Sequence, residues 1–487
     1  MNWFQRAGRY IFGGRQPKRS YDGAKTVARF GDFSRSNLSA NAELDVSLAQ
    51  LRNRLRGLFR NEPFFRRWVR QLTTNVVGSQ GFRLKVHAKN TNGGVDRYGN
   101  DQIEDAWAEW SERCSADGLM GFRDMTSLAV RTWARDGEAF FEKVVGSRFG
   151  PHGLAYSAFE ADLVDETYNK RLGNNAQIRQ GIEIDKYGRP LAYHVLVDHP
   201  GDAFVVSGNV RRRRVPADRI IHVYLKERPG QVRGEPQGVA VMTALKMLSG
   251  YREAEVTGRR LAASKMGFFK RLLGVGSGDI APLADSELDD GQLEMEVHPG
   301  RLSVLPAGVE FEKFDMTTFT TDYEQFERQI LRSIAAGLDV AYSNISMDSS
   351  NSSYSADRSD QIKQRDVWRE IQAMFLSQFV RPIYDTWLQH VFEMRFVSLP
   401  SYRIDKFLKA SKFIPRGWSW VDPDKEIRSA VTAIDRGLTS ATRIAAEQGR
   451  DLVEVYDEIQ AEREMAKERG LDFRNPDMIV ANQAPAE

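Results

Sequence analysis

Apolar residues recur at three- and four-residue steps through Tyr323, Phe326, Ile330, Ile334 and Leu338, which is one face of an amphipathic helix. The same spacing resumes at Ile362, Trp368, Ile371, Phe375 and Phe379 and carries a second helix to about Met394. Between the two lies a stretch of another kind. Nine of the sixteen residues from Tyr342 to Asp357 are Ser or Asn, and only Asp348 and Asp357 carry charge. Such a segment has too little apolar surface to pack for itself, so the pattern predicts a polar, nearly neutral loop held between stiff helices.

Helical spacing also opens the chain. Leu44, Leu48, Leu51, Leu55 and Leu58 repeat at four and three residues, with Arg52, Arg54, Arg56 and Arg60 read as the other side. Helices are predicted next at Phe64 to Val77, closed by Gly78, then at Asp101 to Cys114 with Trp107 and Trp110 as core anchors, and at Asp124 to Arg135. Period-two alternation then takes over in GFRLKVHAK, EAFFEKVVG, the hairpin through Asp185 to Arg189 into PLAYHVLVD, and RIIHVYL. This order predicts an α+β fold in which helices precede a mostly antiparallel sheet. A helix over 239–266, about 40 Å long, carries small residues such as Ser249, Gly250, Gly258 and Ala262 that permit close approach by a neighbour. Strands and loops fill 267–320. Three short helices close the chain after Asp422, a favourable helix entry before Pro423, and the tail from Asn475 is polar.

Composition narrows the reading. The 69 basic and 66 acidic residues nearly cancel, which removes the bias of a dedicated nucleic-acid binder, although residues 1–37 form a basic, Gly-rich arm. One cysteine, Cys114, excludes an internal disulfide framework, and no uncharged apolar run is long enough to span a bilayer; both point to a soluble intracellular protein.

Candidate chemistry is sparse. GxxxxGK[ST], HExxH, GxSxG and paired CxxC are absent, and GVGSGD at Gly274 to Asp279 lacks the strand and helix of a phosphate loop. The seven histidines are scattered, with only His194 and His199 close together, so no metal or other cofactor is expected. Glu160, Asp162, Asp165 and Glu166 offer either a Mg²⁺ site, as in two-metal nucleases, or the edge of a hairpin. Arg211, Arg212, Arg213 and Arg214 are the densest basic run, suited to phosphate, to a neighbouring subunit or to solvent. With the basic arm, they would be the surface of a DNA-binding module.

Four long segments decide among these. RSNLSANAELDVSLAQLRNRLRGLFRNEPFFRRWVRQLTTNVVGSQGFRL, VPADRIIHVYLKERPGQVRGEP, FEKFDMTTFTTDYEQFERQILRSIAAGLDVAYS with the SSYSADRS loop, and WVDPDKEIRSAVTAIDRGLTS resemble, in order, the portal proteins of lambda-type tailed bacteriophages. The resemblance implies a non-enzymatic ring, normally of twelve copies, at one capsid vertex of the virion, assembled in the host cytoplasm. It implies a wing over 38–238, stem helices at 239–266 and 321–340, a clip over 267–320, a tunnel loop over 341–356, a return to the wing over 357–421, and a crown and disordered tail over 422–487. Duplex DNA in the channel, the terminase large subunit, the major capsid protein with any scaffold, and a head-completion adaptor would be its partners, with no membrane. The tunnel-loop residues would be Tyr342, Ser343, Asn344, Ser346, Ser349, Ser350, Asn351, Ser352, Ser353 and Tyr354. A lining of Ser and Asn suits this role, because a channel lined throughout with Lys and Arg would hold phosphates and stop a sliding duplex.

Overall fold

The computed structural model describes residues 37–173, 175–202, 211–263, 267–271, 288–289, 292–293, 309–313, 323–348, 353–418 and 422–469. The basic arm, the Gly274 to Asp279 run and the tail from Asn475 lie outside them.

Helix α1, Ala40–Asn61, starts where the Ser39 side chain accepts from the Ala42 amide. Glu62 ends α1 and caps α2, Pro63–Val76, accepting from the Phe64 and Phe65 amides while Pro63 takes the first helical position. Strand β1, Arg83–Val86, is followed by α3, Arg97–Glu112, and α4, Phe122–Asp136. Then come β2 (Glu138–Val145), β3 (Leu154–Phe159), β4 (Lys170–Arg171), β5 (Gln177–Arg179), β6 (Ile182–Ile184), β7 (Pro190–Leu196), β8 (Arg212–Pro216) and β9 (Ile220–Tyr224). They build two antiparallel sheets, β3-β2-β9 and β4-β5-β6-β7-β8, which realises the expected order of helices before strands.

A short 3₁₀ turn, Val239–Val241, leads into α5, Met242–Ala263, a rod of about 33 Å. Beyond it β10 (Gly267–Arg271), β11 (Leu288–Asp289), β12 (Gln292–Leu293) and β13 (Val309–Lys313) pair as two antiparallel ribbons, β10 with β13 and β11 with β12. Helix α6, Tyr323–Gly337, the single turn α7, Tyr342–Ser346, and α8, Tyr354–Phe375, follow. A π turn, Leu376–Val380, joins α8 to α9, Arg381–Glu393, just ahead of Pro382, whose missing N–H prevents regular α bonding there. Helix α10, Ile404–Ala410, leads to β14, Ser411–Ile414, which returns to pair with β1. Helices α11 (Pro423–Asp435), α12 (Ala441–Glu447) and α13 (Leu452–Glu468) close the chain; Asp422, the expected entry, caps the first and Ser440 the second.

The main core joins early and late sequence. Trp107 lies 5.0 Å from both Phe122 and Trp387, 5.5 Å from Tyr384 and 5.8 Å from Phe413, measured between ring centroids. Trp107 and Trp110 are therefore the anchors that their spacing suggested, and both are buried. A smaller core of Phe140, Val164, Ile182, Tyr193, Val195, Val215 and Ile220 lies between the two larger sheets.

Candidate nucleic-acid interface

The connection from α6 to α8 is built in two parts. Asp339, at φ 51°, turns the chain out of α6, and the buried Gln364 of α8 fixes that turn by accepting from the Ala341 amide at 2.8 Å and donating to the Asp339 carbonyl at 2.9 Å. Tyr342–Ser346 then coils into α7, because Ile345 buries itself completely while Arg67 of α2 donates to the Asn344 carbonyl at 2.6 Å. The expected loop therefore begins as a packed helical turn. Tyr342 turns inward too: its hydroxyl donates to Asp348 at 3.1 Å, and Arg332 lies over its ring at 5.7 Å. Arg328 lies 3.4 Å from the same Asp348 carboxylate, so the acidic charge nearest the connection is matched.

Past Asp348 the character changes. Ser349, Ser350, Asn351 and Ser352 lie outside the described residues, and Ser353 caps α8 by accepting from the Ala356 amide at 3.3 Å. Tyr354 is the first residue of α8. Of the ten residues assigned to the tunnel loop from sequence, Tyr342, Ser343, Asn344 and Ser346 thus belong to α7, and Ser353 and Tyr354 to the start of the next helix. The period-based reading missed α7 because five residues are too few to show a helical period.

The Arg211–Arg214 run is a ladder of ion pairs. Arg211 meets Asp198 at 2.9 Å, Arg212 meets Asp165 at 2.7 Å, Arg213 forks onto Glu142, and Arg214 forks onto Glu183 at 2.8 and 3.0 Å. Strand geometry sends alternate side chains to opposite faces, which lets one run reach four separate carboxylates. Hydrogen bonding to Glu142 raises the Arg213 pKa and that to Glu183 raises Arg214, while Arg214 lowers Glu183. All four arginines are at least a third exposed, yet each is neutralised within the chain.

The acidic group is engaged as well. Glu160, Asp162 and His199 present ligand atoms within 4.8 Å of one another, but Arg56 bonds Asp162 at 2.6 Å and stands 3.7 Å from Glu160. A guanidinium therefore already meets both carboxylates of this group. Asp165 is paired with Arg212, and Glu166 meets Arg52 at 3.1 Å.

These contacts border a buried hub. Gly137, at φ 90°, lets the two chain segments pass so close that a side chain on it would strike the backbone of Glu235 and Pro236, and one on Gly234 would strike the backbone of Gly137; this brings their neighbours Glu138 and Arg233 face to face. Arg233 donates to Glu138 at 2.5, 2.9 and 3.0 Å and to the carbonyls of Ala161 and Gln180. Glu138 also accepts from the Gly234 amide at 3.0 Å and from His222 at 3.1 Å. Burial works to raise the Glu138 carboxyl, but the Arg233 charge and the His222 bond outweigh it and hold it far below the ordinary carboxylate range. Burial pushes His222 down, so it sits neutral with Nε2–H as donor. Arg52, read as the polar side of its helix, is fully buried 3.8 Å from Glu138. The signal was available: Leu44, Leu48, Arg52 and Leu55 share one helical face.

No helix of the described residues is long and apolar enough to cross a membrane. Residues 27–372, more than half of the chain, match the lambda family of phage portal proteins. Among named relatives, the probable portal protein of Halomonas phage phiHAP-1 is 30% identical over 426 residues, covering 86% of this chain and 81% of the relative. The portal protein of Escherichia phage N15 is 26% identical, covering 91% and 89%, and portal protein B of Escherichia phage lambda 25%, covering 93% and 91%. Among solved structures, a chain from the neck of an empty gene transfer agent particle aligns with a TM-score of 0.44 at 14% identity, covering 84% of this chain and 94% of that one. With one family spanning the two-helix connection, both large sheets and the ion-paired hub, this chain belongs to the lambda family of phage portal proteins.

Proposed function

We propose that copies of this chain assemble into a ring, normally of twelve, whose central channel passes the genome into the head during packaging and out at ejection. The ring sits at one capsid vertex, takes the terminase large subunit and later a head-completion adaptor at the clip, 267–320, and meets the major capsid protein through its outer face. Helices α5 and α6 serve as the stem, and the α6–α8 connection lines the narrow part of the channel. The protein acts as a conduit and not as a nuclease.

The observation that carries this reading is the make-up of the connection. Two helices hold a Ser/Asn segment whose nearest acid, Asp348, is matched by Arg328. A surface of that kind offers weak, exchangeable hydrogen bonds to a passing polyanion and no fixed cation to stop it. Negative-stain microscopy of the purified chain tests the ring, with annular particles expected and a monodisperse monomer overturning the proposal. Ser349→Lys with Ser352→Lys tests the channel lining. Rings are expected to form as before while packaging slows in a salt-dependent way, and unaltered packaging would remove the loop from the DNA path.

A further inference from the structure

We propose that Arg66 and Arg70 of α2, with Arg416 at the end of the same face, form a ridge that contacts the phosphate backbone of duplex DNA beside the α6–α8 connection. This rests on the channel reading and adds a gripping element next to the non-gripping one.

Helix α2 contains three arginines and no acidic residue. Phe65, Trp68, Val69 and Leu72 bury one side of it, so the helix is rigidly seated. Arg67 is spent on the Asn344 carbonyl, which fixes α7 against α2. Arg66 and Arg70 stand one turn apart, about 6 Å along the axis, on the exposed side. Among the described residues neither has a carboxylate partner, in contrast to the four paired arginines at 211–214.

Thr74 continues their face by one more turn, and Arg416 reaches it from the C-terminal part of the chain. Arg416 donates to the Thr74 carbonyl and the Asn75 side-chain oxygen, each at 2.6 Å. Both acceptors are neutral, so the bonds fix the guanidinium without cancelling its charge. Burial and then the nearby Arg365 lower the Arg416 pKa, a sign that like charges crowd here. Two nearby acids are engaged with other arginines: Asp366 with Arg369 at 2.8 Å and Glu426 with Arg358 at 3.5 Å. Exposed arginines on a rigid helix, with no carboxylate to match them, suit phosphate oxygens. Two or three such contacts per copy make a hold that salt weakens steeply, compatible with a duplex that must still move.

The test uses the full-length chain and a short fluorescein-labelled DNA duplex, with binding read by anisotropy across a salt series. For Arg66→Gln with Arg70→Gln, binding is expected to weaken and the slope of log K against log salt to become shallower by about 1.8, or about 0.9 per lost phosphate contact. Arg211→Gln with Arg214→Gln is expected to keep the wild-type slope. An unchanged slope in the first variant, an equal loss in the second, or no binding by the wild type overturns the ridge. Loss of rings in the first variant, seen by negative stain, would make the pair a subunit contact and overturn it too. Absence of rings in the wild type would instead fail the channel reading.

Discussion

The Arg233–Glu138 hub and the outer face of α2 both carry arginine, and they treat its charge in opposite ways. In the hub, Arg233 and Glu138 are wholly enclosed, and the guanidinium is met by a carboxylate and by the carbonyls of Ala161 and Gln180. On α2, Arg66 and Arg70 project from a helix without an acidic residue. An enclosed pair is costly to desolvate and costly to break, so it fixes structure. An exposed, unmatched cation contributes little to folding and leaves its charge available to a partner.

The largest effect expected of breaking this contrast is at the hub. Arg233→Ala would remove the main partner of a buried acid, leaving Glu138 only Arg52 at 3.8 Å to match its charge, and is expected to cost about 3 to 5 kcal/mol in chemical denaturation. Arg233→Met with Glu138→Leu removes both charges and should recover much of that loss. Full wild-type stability in Arg233→Ala would mean that the hub does not hold the two large sheets to the helices.

Acid should loosen the hub and leave the ridge charged. Burial alone would raise Glu138, but Arg233 and His222 lower it, so its contribution is present above the ordinary carboxylate value of 4.5 and is lost as pH falls toward its folded value. His222 is lowered by burial, so its neutral form contributes above the ordinary 6.5 and that contribution is lost on acidification. Both signs agree. The thermal midpoint is expected to hold near neutral pH, to decline below about 6.5 and to fall more steeply below about 4.5. Duplex binding through Arg66 and Arg70 should not follow that decline while the fold persists, since arginine does not titrate there. A midpoint that rose on acidification would contradict the hub.

A third, smaller effect concerns the joint between α2 and α7. Arg67→Ala removes the donor to the Asn344 carbonyl and should cost about 1 to 2 kcal/mol locally, read as faster amide hydrogen exchange through Tyr342–Ser346 with the rest of the chain protected as before. Unchanged exchange there would mean that Ile345 alone seats α7.

Much of this architecture was legible along the chain. The long helices, the antiparallel strands, the aromatic anchors Trp107 and Trp110, and the cap Asp422 depend on local spacing, which sequence displays. The family resemblance was legible too, because long segments kept their order. What stayed hidden depends on partners distant in sequence. Arg52 counted as polar until Glu138, Asp162 and Glu166 stood around it. The densest basic run stayed open to phosphate, a neighbouring subunit or solvent until its four carboxylates came from separate elements. Arg66 and Arg70 drew no notice, because their significance is the absence of such partners beside α7.

The smallest expected effect is at the ladder itself, and it separates charge density from charge availability. Arg214 forks onto Glu183, but with its side chain half exposed the pair is screened by water and salt. Arg214→Gln should therefore change stability by less than about 1 kcal/mol, and the difference should shrink as salt is raised. The variant also frees Glu183 beside His194, which lies 3.6 Å away. Any residual effect should thus fade further where His194 becomes protonated and can replace the lost cation. If Arg214→Gln instead abolished duplex binding while leaving stability intact, the neutralised ladder and the open ridge would have to exchange roles.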